Sequence, residues 1–358
     1  MTASKRTYET MNGLRGVAAF AVAIFHTFSF FWSATAASGY LAVDFFFVLS
    51  GFVVAGAYQT KLASGSLTVR SFAMKRLVRF YPLYLVGLGL GVAQAVAENL
   101  LHLGSTIPLH SIGWAFVCAL IFMPAFGNYS YFITPLNGPS WSLLFEYWVN
   151  VAWAPIAKRA SGWVYLAILI AAGVAFVWCA AVKGDAGLGV TWDTLPGGIA
   201  KTVFSFLGGV LIYRYRDGAH GRETGWAIIL MAVLMALLFF KPTDAFRLAY
   251  DLVFALALSP LIVFLASTME PPPAFRRAFA LLGELSFPLY AIHMPVIAAG
   301  IVVTRYLHIP PFAAGVIVLA AALTAAWVAG KVDFRIRVYL ARSVAPPSLR
   351  PHPEPRTG

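Results

Sequence analysis

The chain has 358 residues, of which 60% are hydrophobic and 11% are charged, and its mean hydropathy is +0.78. This composition excludes a soluble globular protein and predicts an integral membrane protein. The net charge of +12 does not indicate a nucleic-acid partner, because basic residues of membrane proteins gather in cytoplasmic loops. Cys118 and Cys179 both lie in apolar runs and are predicted to be packing residues rather than a disulfide.

Apolar runs long enough to cross a bilayer recur along the chain, since about 20 residues of helix span the ~30 Å hydrocarbon core. The predicted spans are 13–33, 40–58, 80–98, 139–157, 162–182, 196–213, 225–240, 248–268, 282–304 and 311–330. An eleventh run at 111–126 is shorter and contains Pro124. The sequence therefore predicts an all-α, polytopic helical bundle of about ten transmembrane helices.

Basic residues decide whether the run at 111–126 also crosses. If it does not, most of the 26 Lys and Arg residues fall on the side of both termini; if it does, every later loop is inverted and this bias is lost. We therefore predict a re-entrant or interfacial helix there, with both termini cytoplasmic. Residues 1–340 are predicted to form one transmembrane domain, and the basic, proline-rich segment 341–358 a disordered cytoplasmic tail.

Ionisable side chains inside spans are costly and are functional candidates. Arg15 and His26 lie three helical turns apart on one face, about 16 Å along the axis, with Arg15 near the cytoplasmic mouth and His26 in the outer half. Asp44 and Glu146, from two other spans, fall at a depth comparable to that of His26. Either carboxylate could orient the imidazole as a general base. The alternative is a polar cluster that only joins helices.

Two pairs of residues at helical spacing are further candidates. Arg76 and Arg79 are predicted to share a face at the inner membrane surface, where two guanidinium groups can grip phosphates. Ordinary positive-inside charge is the alternative. Tyr290 and His293 lie between two prolines that interrupt helical hydrogen bonding, so freed backbone groups are expected to line a cavity there.

Buried histidines and carboxylates also occur in proton-coupled transporters, which is the alternative function from another class. Transporters commonly contain internal hydropathy repeats, and this sequence contains none that stands out. Lys201 and Asp251 are single charges in their predicted spans, and the sequence indicates no partner for either.

Five short motifs follow one another in a fixed order. They are NGLRGVAA at 12–19 with His26 behind it, VDFFFVLSGF at 43–52, the Arg76 and Arg79 pair, WSLLFE at 141–146, and SFPLYAIHMP at 286–295. In this order they resemble the acyltransferase-3 family of membrane O-acyltransferases. Two positions depart from the family's pattern: Asn12 stands where the family usually has Asp, and Tyr147 where it usually has a second acidic residue.

The resemblance implies a bacterial inner-membrane enzyme that moves an acyl group, usually acetyl from acetyl-CoA, to a hydroxyl group. The expected acceptor is a surface or secreted glycan, such as an exopolysaccharide, lipopolysaccharide or oligosaccharide. A small molecule such as a macrolide, or a lipid, is the alternative acceptor. Acyl-CoA is then a co-substrate, and neither a bound cofactor nor a metal is expected.

The resemblance also implies roles for individual residues. His26 is expected to deprotonate the acceptor hydroxyl, with Glu146 and Asp44 as further catalytic residues, and an acyl-histidine intermediate is the mechanistic alternative. The expected donor-binding residues are Arg15, Arg76 and Arg79. The expected supporting residues of the cavity are Trp141, Ser142, Tyr290 and His293.

Overall fold

Helices make up most of the chain in the computed structural model, which describes residues 8–31, 38–102, 107–127, 130–157, 161–216 and 221–344. Within these ranges twelve α-helices follow one another, together with two strands of two residues each. The predicted tail lies outside the described residues except for its first positions, which continue the last helix to Val344. The division between a domain at 1–340 and a tail stays a prediction.

The helices run alternately between two ends of a bundle, and we call the end at which the first helix begins the N-terminal end. The helices that begin there are α1 (Glu9–Phe31), α3 (Val69–Leu100), α6 (Gly162–Lys183), α8 (Trp226–Phe239) and α11 (Pro273–Tyr306). Those that begin at the opposite end are α2 (Ala42–Ala63), α5 (Ser140–Ile156), α7 (Leu195–Tyr215), α9 (Asp244–Val253) with its continuation α10 (Ser259–Thr268), and α12 (Pro311–Val344). The short helix α4 (Leu109–Leu120) lies between α3 and α5.

Every predicted span corresponds to a helix or to the continuous pair α9 and α10, so the predicted polytopic helical bundle is confirmed. Eight helical segments in the described chain are long and apolar enough to cross a membrane. The spans predicted at 139–157 and 225–240 correspond to α5 and α8, which have 17 and 14 residues. At 1.5 Å per residue these helices are about 26 and 21 Å long, which is shorter than the ~30 Å hydrocarbon core.

The short helix α4 enters the bundle and does not cross it. Its 12 residues extend about 18 Å, which is shorter than the ~30 Å hydrocarbon core of a bilayer. At its inner tip, the Tyr84 hydroxyl donates to the carbonyl of Ala119 over 2.9 Å, and Trp148 Nε1 donates to the carbonyl of Phe122 over 2.7 Å. The helix corresponds to the run at 111–126, and its re-entrant or interfacial placement in a membrane stays a prediction.

Helix α3 begins at Val69, well before the predicted start of its span at residue 80. The Thr68 side chain caps the helix by accepting a hydrogen bond from the Ser71 amide over 3.1 Å, as hydroxyl residues commonly do at helix starts. This early start carries Arg76 into the bundle, where it is 4% exposed. The sequence did not predict this burial, and the placement of Arg76 and Arg79 at the inner membrane surface stays a prediction.

Glycines bring pairs of helices into backbone contact. A Cβ atom on Gly51 of α2 would collide with the carbonyl of Phe206 in α7, and one on Gly209 of α7 would collide with the carbonyl of Val48 in α2. Gly16 brings α1 equally close to α11. Small residues permit this approach in membrane bundles, where dispersion contacts between helices hold the fold. These contacts set the positions of α1, α2 and α11 around the interior.

The start of α1 is tied to the turn between α10 and α11. Strands β1 (Arg222–Glu223) and β2 (Met269–Glu270) pair in parallel at this end. The Glu9 amide donates to the Glu270 carboxylate over 3.0 Å, and the Thr10 hydroxyl donates to the Met269 carbonyl over 2.7 Å. A carboxylate at a helix N-terminus also complements the helix dipole. The first turn of α1 is thus held against the turn that leads into α11.

Candidate functional site

A narrow cavity towards the N-terminal end is lined by basic side chains, and we call it the basic cavity. It encloses about 100 Å³ between α1, α2, α3, α5 and α11. Its charged lining consists of Arg15, Arg76, Arg79 and Glu146. Three guanidinium groups and one carboxylate give this lining a positive balance, which favours an anionic ligand. The structure thus brings together the three arginines predicted to bind the donor.

Arg15 is positioned by two acceptors on α11. Its Nε donates to the Ser286 hydroxyl over 2.8 Å, and one terminal nitrogen donates to the Gly283 carbonyl over 2.7 Å. The bond to Ser286 joins the first motif of the sequence to the last one, and the bond to Gly283 reaches the turn of α11 just before that motif. They hold the planar guanidinium against α11 with its edge at the basic cavity, where an anion can meet it.

Arg76 and Glu146 form an ion pair inside the bundle. An Arg76 terminal nitrogen lies 3.1 Å from Glu146 Oε1, and the Ser50 hydroxyl donates to the same oxygen over 2.6 Å. The guanidinium carbon lies 4.7 Å from the centre of the Phe80 ring, a cation–π contact. Residues from α2, α3 and α5 therefore meet at Glu146, and the loss of either charge would leave the other one buried.

The sequence left open whether Glu146, Asp44 or neither orients His26, and the structure places Glu146 away from His26. Glu146 and Ser142 line the basic cavity, whereas His26 lines a second cavity. Depth along a helix axis does not specify the direction in which a side chain points, and Glu146 points towards α3. Its hydrogen bonds go to Arg76 and Ser50, so this carboxylate contacts the arginine rather than the imidazole.

The second cavity lies towards the opposite end, and we call it the large cavity. Its volume is about 990 Å³. Its aromatic lining residues are Phe30, Phe132, Trp141 and Tyr306. Its polar and charged lining residues are His26, Gln94, Glu98, Thr134, Asn137 and Arg305. An aromatic lining with a few polar groups is typical of a binding site for an organic ligand.

A thin wall separates the two cavities. The hydroxyl oxygens of Ser142 and Tyr290 lie 2.5 Å apart, and both residues line the basic cavity. Trp141, the residue before Ser142, lines the large cavity. The Tyr290 hydroxyl also donates to the carbonyl of Pro139 over 3.2 Å. The first turn of α5 and the middle of α11 thus form a wall about one layer of side chains thick.

The proline-flanked part of α11 presents a freed carbonyl group, as the sequence predicts. Pro295 has no amide hydrogen, so the carbonyl of Ala291, four residues earlier, loses its helical donor. The Asn137 side-chain amide donates to that carbonyl over 3.0 Å. Asn137 lies in the segment before α5 and lines the large cavity. This bond connects α11 to the segment that precedes α5.

The two histidines of the site face each other in this wall. The ring centres of His26 on α1 and His293 on α11 are 5.2 Å apart, and the rings are inclined by 34°. Nδ1 of His293 lies 2.9 Å from the Tyr290 carbonyl oxygen and 3.1 Å from that of Leu289. His26 thus has an imidazole ring as its neighbour, a contact that the sequence did not indicate.

Asp44 belongs to a buried polar network that the sequence did not predict. Its carboxylate lies 3.5 Å from the Lys201 ammonium group, which also donates to the Ala186 carbonyl over 3.2 Å. Asp251 accepts bonds from the Ala186 amide over 3.1 Å and from the Tyr40 hydroxyl over 2.5 Å. The signal was present in the sequence, since a lysine and aspartates inside spans have to compensate one another's charge.

Lys201 connects this network to the site, because its ammonium group lies 5.3 Å from the centre of the Trp141 ring. Trp141 begins the WSLLFE motif and lines the large cavity. Through its described contacts, Asp44 thus joins α2 to α7 behind the wall that separates the two cavities. A direct action of Asp44 on His26 stays a prediction.

We predict that Lys201→Met lowers stability strongly, by about 3–5 kcal/mol, because it leaves the buried carboxylate of Asp44 without a counterion. Adding Asp44→Asn is expected to restore most of the loss. The matched control is Lys183→Met, which breaks the exposed pair with Asp185 and is expected to change stability by about 0–1 kcal/mol. Thermal unfolding of the purified variants measures both effects. Equal unfolding temperatures for Lys201→Met and Lys183→Met would contradict this account of the network.

Comparison with known proteins agrees with the motif pattern. The family model described as an acyltransferase domain, of the acyltransferase-3 type, matches residues 8–331. A protein of Rhizobium radiobacter named "Protein 2 in picA locus" is 40% identical over 164 residues, which is 42% of this chain and 83% of that protein. No solved structure matches the chain.

Proposed function

Because the chain belongs to the acyltransferase-3 family, we propose that it transfers an acetyl group from acetyl-CoA to a hydroxyl group of a surface or secreted glycan. The observation that supports this proposal is a pair of cavities with different linings, one basic and the other aromatic and polar. A single wall separates them, and His26 lies in that wall. A cationic cavity suits a phosphorylated donor, and a large aromatic and polar cavity suits a carbohydrate. Acyl transfer requires that the thioester of the donor and the hydroxyl of the acceptor meet, and in this proposal they meet at the wall.

The basic cavity is the proposed site of the donor. Coenzyme A carries several phosphate charges on one end of a slender pantetheine arm, so guanidinium groups can hold its phosphates while the arm extends into the bundle. Arg15, Arg76 and Arg79 supply these groups. In this scheme Glu146 acts on the donor side, where it aligns the guanidinium of Arg76 and partly compensates its charge.

The large cavity is the proposed site of the acceptor. The rings of Trp141 and Tyr306 offer apolar faces to the C–H groups of a sugar, and Gln94, Glu98 and Asn137 offer donors and acceptors to its hydroxyl groups. A volume of about 990 Å³ exceeds the needs of one sugar ring, which favours a segment of a glycan over a small alcohol. A macrolide is the alternative acceptor of similar size.

His26 is the proposed general base. It takes the proton of the acceptor hydroxyl as that oxygen attacks the thioester carbonyl carbon, so that the new C–O bond forms and the C–S bond breaks. The thiolate of coenzyme A then receives the proton from His26. An acyl-histidine route has the same overall balance and differs by a covalent intermediate that accumulates when the acceptor is absent.

The proposed orientation places the N-terminal end of the bundle in the cytoplasm of a bacterium, with the protein in the inner membrane. The basic residues that follow α2 and precede the apolar part of α3 lie at this end, as do those at the start of α11, and positive charge favours the cytoplasmic side. The donor then enters from the cytoplasm, where acetyl-CoA is made, and the acceptor binds from the other side.

We predict that His26→Ala lowers acetylation of the host's glycan to a small residual rate while coenzyme A binding to the purified protein is retained, because the base is lost and the basic cavity is intact. A positioned base contributes about 10²–10⁴-fold to rate. The measurement is the O-acetyl content of glycan from cells that carry each variant. His110→Ala, at an exposed position of α4, is the matched control. Unchanged acetylation with His26→Ala would refute the proposed base.

We predict that Arg79→Gln weakens coenzyme A binding by about 10–100-fold, the effect expected when a charge-assisted bond to a phosphate is lost. Arg79→Lys is expected to have a smaller effect, because it keeps the charge without the planar fork. Binding of labelled coenzyme A to purified protein measures the change. Arg70→Gln, at an exposed position in the first turn of the same helix, is the control. Equal affinities for the Arg70 and Arg79 variants would argue against the basic cavity as the donor site.

A further inference from the structure

His293 is a fully buried histidine for which the proposed chemistry has assigned no role. Its Nδ1 lies within hydrogen-bond distance of two carbonyl oxygens, those of Leu289 and Tyr290. A carbonyl oxygen only accepts hydrogen bonds, so Nδ1 is the nitrogen that carries the proton. In the neutral ring the other nitrogen, Nε2, then carries a lone pair and acts as an acceptor.

Nε2 of His293 is buried and has no hydrogen-bond partner among the residues that the structure describes. A buried acceptor that stays unpaired costs free energy, so such an atom at a site calls for a partner. The imidazole facing it is that of His26, with 5.2 Å between ring centres. At this separation a modest rotation of the His26 ring brings one of its N–H groups within reach of Nε2.

We propose that His293 is a positioning residue for His26: its Nε2 accepts the N–H of His26 and thereby selects the tautomer of that ring. The other nitrogen of His26 is then unprotonated and faces the large cavity, where the acceptor hydroxyl binds. This inference rests on the proposed function, in which His26 is the base. The backbone carbonyls of α11, acting through His293, thus orient His26 in the way that a carboxylate partner would.

The pair also stabilises the charge that develops during the reaction. When His26 accepts the hydroxyl proton it becomes an imidazolium, and its bond to Nε2 of His293 becomes charge-assisted. His293 stays neutral throughout, and the proton taken from the acceptor hydroxyl passes from His26 to the thiolate of coenzyme A. The same bond therefore selects the tautomer before the proton transfer and stabilises the cation after it.

Two amide substitutions separate the two nitrogens of His293. His293→Asn places its amide near the position of Nδ1, so it keeps a donor for the carbonyls and loses the acceptor that faces His26. His293→Gln reaches to the position of Nε2 and restores an acceptor there. We expect the Asn variant to lower kcat by about 10–100-fold with the KM for acetyl-CoA unchanged. We expect the Gln variant to recover at least tenfold over the Asn variant.

A double-mutant comparison distinguishes positioning from a role in packing. In the His26→Ala background, His293→Asn is expected to cause no further loss of activity, because the residue acts through His26. Full activity of the Asn variant, equal activity of the Asn and Gln variants, or a further loss in the His26→Ala background would overturn the proposal. Loss of coenzyme A binding in both His293 variants would also overturn it, since that result assigns His293 a structural role.

The outcome for His26 is separate. If His26→Ala retains full activity, the proposed base is wrong whatever the His293 variants do. If His26→Ala is inactive and His293→Asn is fully active, the proposed function stands and only the inference about His293 fails.

Discussion

The ion pair between Arg76 and Glu146 is the interaction on which the arrangement of the site depends. A guanidinium group inside an apolar bundle requires a compensating charge or access to a polar cavity, and Arg76 has an ion-pair partner and borders the basic cavity. Glu146 holds it from α5, Ser50 of α2 bonds to the same carboxylate oxygen, and the open side of the guanidinium group faces the basic cavity. Three helices are thereby joined at the point where a cation is available to a ligand.

The opposite half of the bundle meets the same constraint in a different way. Lys201 and Asp44 compensate each other where both are shielded from solvent, and this pair adjoins Trp141 rather than a ligand. The pair of Arg76 and Glu146 thus borders the basic cavity, and the pair of Lys201 and Asp44 lies behind the wall of the large cavity. Between them the middle of α11 presents Tyr290 to one cavity and His293 to His26, so a single helix contributes to both halves of the proposed reaction.

Much of the fold follows from the sequence, because hydropathy identifies the helices and the shortness of the apolar run at 111–126 sets α4 apart from the longer ones. Pro295 likewise indicated that one helical carbonyl lacks its backbone donor, and the Asn137 side chain donates to that carbonyl. The sequence failed where direction around a helix axis matters. The depth of Glu146 was comparable to that of His26, yet its side chain points to Arg76. The early start of α3, capped by Thr68, placed Arg76 in the interior, and neither that start nor the pairing of Lys201 with Asp44 is visible in hydropathy.

The central claim is that the donor and the acceptor reach one wall from opposite ends of the bundle. The most direct measurement uses sealed membrane vesicles of inverted orientation, with labelled acetyl-CoA outside and acceptor glycan enclosed within. The account predicts label on the enclosed glycan with the wild-type protein and only a small residual rate of labelling with His26→Ala. Labelling that occurs only when donor and acceptor are supplied on the same side of the membrane would contradict it.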